Sequence, residues 1–261
     1  MIRRAILAWA LVAGAPIASA TTVMFDQAQG ERFVVEGDGP LDLTVLASRF
    51  HARGARIEVT RDPLTRASLA NVDVLVVSGA FVPFAAEEVR AVAAFVERGG
   101  RLVVTLHIGP PAVGLLEPFG VGIWGGVVRD GGPVLEGEPL HFEVEHLEAH
   151  PLTRGLERFR TYGSWALEPL GSRVTTFAST GDAAWLDVDG DRRRGPGEVT
   201  RRFALAVAGE RGAGRVAVFG DDAVFQNQFL NGDNLRLADN LVDWLLEVNS
   251  PVALQASGGG Q

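Results

Sequence analysis

Val72 to Val77 is a nearly unbroken apolar run closed by Ser78 and Gly79, and Arg101 to His107 repeats the pattern after Gly99 and Gly100. Runs this short and this apolar read as strands buried on both faces, which is the habit of a parallel sheet covered by helices. The segment between them supplies such a helix: Val89, Val92 and Val96 share one face, and Glu87 and Glu88 occupy the first turn, where the helix dipole favours them. The same alternation holds upstream. Thr22 to Phe25 is β-prone, Leu43, Leu46 and Phe50 recur at helical spacing up to Gly54, and Arg56 to Val59 returns as a strand. Near the C-terminus, Arg215 to Phe219 reads as a strand, and Leu237, Leu241, Trp244, Leu245 and Val248 stripe a last helix. Buried strands alternating with amphipathic helices predict an α/β fold with a mostly parallel sheet and helices on both faces.

The middle of the chain breaks this rhythm. From about 121 to 208, short β-like runs at Gly126 to Val128, His141 to Val144, Val174 to Phe177 and Phe203 to Val207 are separated by Gly, Pro and Asp clusters. They predict an antiparallel, β-rich insertion on the same core, within a single domain spanning 21–250. The stretch 251–261 reads as a flexible tail.

Met1 to Ala20 has the form of an export signal. Arg3 and Arg4 make a basic start, Ala5 to Ile17 is apolar but short for a bilayer, and Ala18, Ser19 and Ala20 suit a signal peptidase. A periplasmic or secreted location follows, with no transmembrane segment once the signal is removed. The 261 residues carry 24 Lys and Arg against 32 Asp and Glu, a net charge of −8, and cleavage would remove two more arginines. A chain this acidic has no field with which to gather nucleic acid. Cysteine is absent, so disulfides, thiolate metal ligands and a cysteine nucleophile are all excluded.

Three stretches resemble the class I glutamine amidotransferase-like superfamily: the opening strand with Asp26, Gln27 and Gly30; Asp73 to Gly79 with the helix running to Phe95-Val96-Glu97-Arg98-Gly99-Gly100; and Gly214 to Asp221 followed by Asn231, Asn234 and Leu237 to Leu245. His150-Pro151-Leu152-Thr153-Arg154-Gly155-Leu156 is similar to a segment of trehalose-utilisation-like proteins, and the arrangement as a whole resembles exported bacterial members related to auxiliary domains of gliding-motility transporters. The resemblance implies a three-layer, flavodoxin-like fold. True amidotransferases use a Cys-His-Glu triad with the cysteine at a strand-to-helix elbow, so it also implies a scaffold without the parent glutaminase chemistry. Association with a membrane transporter complex is a further implication.

In an open parallel sheet, ligands sit beyond the carboxyl ends of the strands. Asp26, Ser78, His107 and Asp221 each come at or just after a strand end, with Asp222 and Asn227 close behind. They are the candidate ligand-binding residues, for a polar ligand or a hydrated metal. Of these, His107, Asp221 and Ser78 are the catalytic candidates, although no Gly-x-Ser-x-Gly elbow surrounds Ser78. The alternative reading makes them strand-end caps, in which Asp and Ser accept backbone N–H bonds.

A second constellation lies at Asp187, Asp189, Asp191 and Glu198, positions one, three, five and twelve of a calcium-type loop. Arg192 stands at position six, where such a loop takes Gly, and Arg193 and Arg194 add positive charge. Calcium is the cofactor this spacing suggests. The alternative is an acidic–basic hairpin neutralised by its own arginines.

Two functional readings follow. The first is an exported, non-catalytic ligand-binding or accessory module taking a small molecule, a carbohydrate or a protein partner. The second is an extracytoplasmic hydrolase of a carbohydrate or small ester, using His107 with Asp221 or a metal-bound water.

Overall fold

The computed structural model describes residues 20–246. The leader expected at Met1 to Ala20 falls outside them except for Ala20, as does the tail at 251–261. No helix among the described residues is long and apolar enough to cross a membrane.

The chain opens with β1 (Thr22–Asp26), α1 (Thr44–His51), β2 (Arg56–Thr60), β3 (Val74–Ser78), α2 (Ala86–Glu97), β4 (Arg101–Thr105) and α3 (Gly109–Leu116). The middle follows as β5 (Val121–Arg129), β6 (Phe142–Val144), β7 (His146–Leu147), β8 (Phe159–Thr161), β9 (Trp165–Pro169), β10 (Val174–Ser179), β11 (Trp185–Asp187) and β12 (Ala204–Arg211). β13 (Gly214–Phe219) and α4 (Gly232–Leu246) close it. Helix α3 has no counterpart in the sequence reading, because Gly109, Pro110, Pro111 and Gly114 resemble a break. Proline in the first turn is compatible with a helix, since the N–H it lacks would be unpaired there anyway. Ala112, Leu115 and Leu116 then bury one face.

The strands join in one eleven-stranded sheet with a separate β6–β8 ribbon. Strands β2, β1, β3, β4 and β13 lie side by side and all run parallel. β12 adds antiparallel to β13, and β9, β5 and β11 extend the sheet antiparallel from there, while β10 and β7 branch from β12.

Alternate residues of the parallel strands feed two cores. Val23, Phe25, Val74, Val76, Val103, Ala217 and Phe219 join Leu46 and Phe50 of α1 and Leu237, Leu241 and Leu245 of α4. Met24, Leu75, Val77, Leu102, Val104, Val216 and Val218 join Val92, Phe95 and Val96 of α2 and Leu115 and Leu116 of α3. Each fully buried Val, Leu or Phe among them contributes roughly 1.5–3 kcal/mol of apolar transfer. Helices α1 and α4 are further tied by Arg49, which bonds Asp239 at 2.6 Å, and by Arg53, which pairs with both Asp239 and Asp243. These pairs are partly exposed, so they orient the helices more than they stabilise them.

Candidate functional site

The parallel register sets the carboxyl edge. Asp26 pairs with Val77, Ser78 with Thr105 and Thr105 with Phe219, so the loops after β1, β3, β4 and β13 emerge together. His107 lies in the elbow between β4 and α3. Its Nδ1 is 3.3 Å from Asp222 Oδ1; the imidazole is 42% exposed and the aspartate 2%. The hydrogen bond to Asp222 is the main cause that raises the His107 pKa, with burial opposing it and the charges of Asp222 and Asp221 assisting. Phe33 and Phe81 flank the ring at centroid distances of 5.2 and 5.1 Å. Trp165 Nε1–H donates to the His107 carbonyl at 3.2 Å.

Asp222 depends on Gly79. That glycine has φ +71°, and a Cβ there would lie 2.7 Å from Asp222 Oδ2. Only a residue without a side chain leaves room for the carboxylate and takes this backbone conformation without strain.

Asp221, the partner expected for His107, points elsewhere. Its Oδ2 accepts from Thr161 Oγ1 (2.7 Å) and Tyr162 N–H (2.6 Å), and its Oδ1 from Ala223 N–H (2.9 Å). Burial and the adjacent Asp222 charge push it up to about 6. The hydroxyl of Ser78 is buried and shares a 2.8 Å hydrogen bond with Thr105 Oγ1. Asn227 is structural in its contacts: Oδ1 accepts from Val45 N–H in the first turn of α1, and Nδ2 donates to the Gly39 carbonyl.

Asp26, at the end of β1, accepts from Ala28 N–H with Oδ1 and is 3% exposed. Burial, followed by the charge of Glu31, pushes it up to about 8. Glu31 is itself pushed up to about 7, chiefly by burial. Glu88, whose charge acts on both, accepts from Gln29 Nε2 and Leu64 N–H with Oε1 and from Ala85 N–H with Oε2.

In the acidic loop, oxygens of Asp187, Asp189 and Asp191 lie within 4.8 Å of one another. Arg192 takes the left-handed conformation at φ +64°, where a calcium-type loop has glycine. Two features favour a loop held by its own bonds. Asp187 is bound by Arg129 Nε (2.5 Å) and Gly190 N–H (2.7 Å), so the charge that meets it comes from the end of β5. Glu198 gives one oxygen to Val188 N–H and the other to Gly195 N–H, and it does not join the three aspartates.

A family described as a domain of unknown function, DUF4350, matches residues 37–242. The chain belongs to that family. No curated protein sequence matches it. Among solved structures, the mmIFT52 N-terminal domain is similar with a TM-score of 0.69 and 19% identity, covering 88% of this chain and 99% of that one. A ThuA-like protein from Bacteroides uniformis gives 0.50 and 15%, covering 89% and 95%. A Thermoplasma acidophilum protein described as part of a GMP synthase gives 0.51 and 11%, covering 87% and 94%. At these identities the likeness is one of fold, and chemistry must be argued from the site.

For this DUF4350 chain, sequence reasoning passed over several residues that shape the edge. Glu88 reads as a helix-dipole partner, yet it gathers donors from three separate segments. Glu31, Phe33 and Phe81 sit in loops without periodicity, and a motif search offers no signal for them. Chemically, the edge presents an imidazole whose Nδ1 is held by a buried carboxylate and whose ring lies beside two aromatic rings, and the loop after β1 adds two carboxyls whose proton affinity burial raises.

Proposed function

We propose that this chain is an exported, non-catalytic binding or accessory module on a three-layer, flavodoxin-like scaffold of the class I glutamine amidotransferase type, with a β-rich insertion at about 121–208. Its site is the carboxyl edge around His107 and Asp222, offered to a small molecule, a carbohydrate or a protein partner outside the cytoplasm, with association to a transporter complex as one setting. One observation supports the reading: among the described residues, the nucleophile candidates give the histidine no partner. The chain has no cysteine, and the Ser78 hydroxyl is buried and committed to Thr105. A ligand held at the edge stabilises the folded chain by linkage, so a thermal-shift screen on the full chain should find compounds that raise Tm in the unmodified protein and not in His107→Ala. A screen in which every responding compound shifts both proteins equally would remove the edge as the site.

A second reading, hydrolysis of a carbohydrate or small ester, is favoured by one feature. A buried aspartate fixes Nδ1 of His107 while the ring stays 42% exposed, which is how a general base is oriented toward solvent or substrate. Asp222 takes the role that the sequence reading gave to Asp221. Turnover on a glycoside and ester panel, lost in His107→Ala and Asp222→Ala with the fold retained, would overturn the non-catalytic proposal.

A further inference from the structure

Four buried side-chain oxygens among the described residues lack a hydrogen-bond partner: Asp26 Oδ2, Gln27 Oε1, Glu31 Oε1 and Asp222 Oδ2. All are acceptors, and all lie at the carboxyl edge. Unmet acceptors in an interior are uncommon, because each forfeits the bond it had with water. Asp26 and Glu31 are the informative pair. The charged groups that face Asp26 are Glu31 from its own loop and Glu88 from α2, both of the same sign. Glu88 cannot relieve them, since its two oxygens already accept three N–H bonds. A proton meets the need without requiring space. It removes a charge and turns one unmet acceptor into a donor.

The segment these residues anchor is a cover. Gln29 receives Phe81 N–H and Val82 N–H on its carbonyl, each at 2.9 Å, which joins the loop after β1 to the loop after β3. Phe33 packs against His107, and Arg32 stacks its guanidinium 5.1 Å from the centre of the Phe81 ring. We propose that segment 27–36 is a proton-fastened flap over the carboxyl edge, closed while the Asp26 and Glu31 carboxyls hold hydrogens and released when they ionise. The fastening is internal to the chain and does not depend on what binds beneath it.

The electrostatics run in the same direction at Asp26 and Glu31, whereas Glu36 at the far end of the segment, where burial raises the pKa but the Arg61 hydrogen bond outweighs it, is held low. Burial raises Asp26 to about 8 and Glu31 to about 7, against 3.8 and 4.5 when solvated. A carboxyl whose proton affinity is higher when closed favours closure most in acid, and loses that contribution as pH climbs toward the closed-state value. His107 runs the other way. Its hydrogen bond to Asp222 raises its pKa, but Asp222 lies outside the segment, whereas burial and the Arg32 charge, which the segment itself carries, lower it, so closure favours the neutral ring.

Hydrogen–deuterium exchange of the full chain between pH 5 and 8, corrected for the intrinsic pH dependence of exchange, tests the flap. Protection across 27–36 and at Phe81 and Val82 should fall with pH, by up to about tenfold per unit for each ionising carboxyl, while β4 amides stay level. Asp26→Asn and Glu31→Gln, which imitate the protonated acids, should each flatten the fall with pH, and the double variant should show no fall. A flat profile in the unmodified protein overturns the proposal, as does an undiminished slope in the double variant. If Asp26→Asn fails to fold, Glu31→Gln alone decides: a reduced slope supports the flap and an unchanged one ends it.

Discussion

Replacing Asp26 with Asn is expected to make the protein more stable at neutral pH. The carboxyl is 3% exposed, and burial holds its pKa near 8, against 3.8 for the same group in the unfolded chain. Folding at pH 7 must therefore protonate this group or bury its charge, and proton linkage sets the cost at about 4 kcal/mol as an upper limit. Asn has nearly the shape of the protonated acid and bears none of that cost. Because the folded-state value is the higher one, the handicap vanishes well below 3.8 and grows as pH rises toward 8. The advantage of Asp26→Asn should accordingly shrink to about 1 kcal/mol at pH 4.5. Urea unfolding followed by tryptophan fluorescence at the two pH values reads the gap directly, provided the transitions are two-state. A variant less stable than the unmodified protein at pH 7 would refute the reasoning, and so would a gap that ignores pH. Either result would mean that Asp26 is ionised and satisfied in the folded chain.

Other outcomes follow from the same geometry. Gly79→Ala should cost about 1–3 kcal/mol, because the left-handed backbone and the 2.7 Å approach to Asp222 Oδ2 both resist a side chain; an NMR titration should also show the His107 pKa falling as Asp222 is displaced. Ser78→Ala should lose only about 0.5–1.5 kcal/mol, the worth of its bond to Thr105, and should leave any activity or binding at the edge unchanged; abolished turnover would make Ser78 a nucleophile. Arg129→Gln should destabilise the fold by about 3–5 kcal/mol, since it strands the buried Asp187 carboxylate, and a loss below about 1 kcal/mol would show that Arg129 is not what offsets the burial of this charge. With Asp187 and Glu198 engaged as they are, calcium and chelator should leave the Tm of the unmodified chain unchanged; a calcium-dependent rise abolished by Asp189→Ala would show that the loop rearranges around the ion.

The parallel half of this protein is written in its apolar spacing. Nearly unbroken apolar runs such as Val72 to Val77, interrupted by Asp73 alone, can be satisfied only between two covered faces, and the helices between them carry their own apolar stripes, so β1 to β4, β13 and helices α1, α2 and α4 were legible from spacing alone. The strand ends were legible for the same reason, and with them the residues delivered to the carboxyl edge. Which of those residues meet was settled by the packing of the whole chain. His107 and Asp222 lie 115 positions apart, and Arg129 and Asp187 lie 58 apart, distances at which periodicity carries no information. Asp221 and Asp222 are adjacent in sequence, but at the bend after β13 their side chains diverge, one to Thr161 and Tyr162 and the other to His107. Asp26 is raised by burial and by the charges of Glu31 and Glu88, the second of which comes from a helix 62 positions away. Local patterning reports which face of an element is apolar, whereas proton affinity and pairing depend on what the rest of the chain places against it.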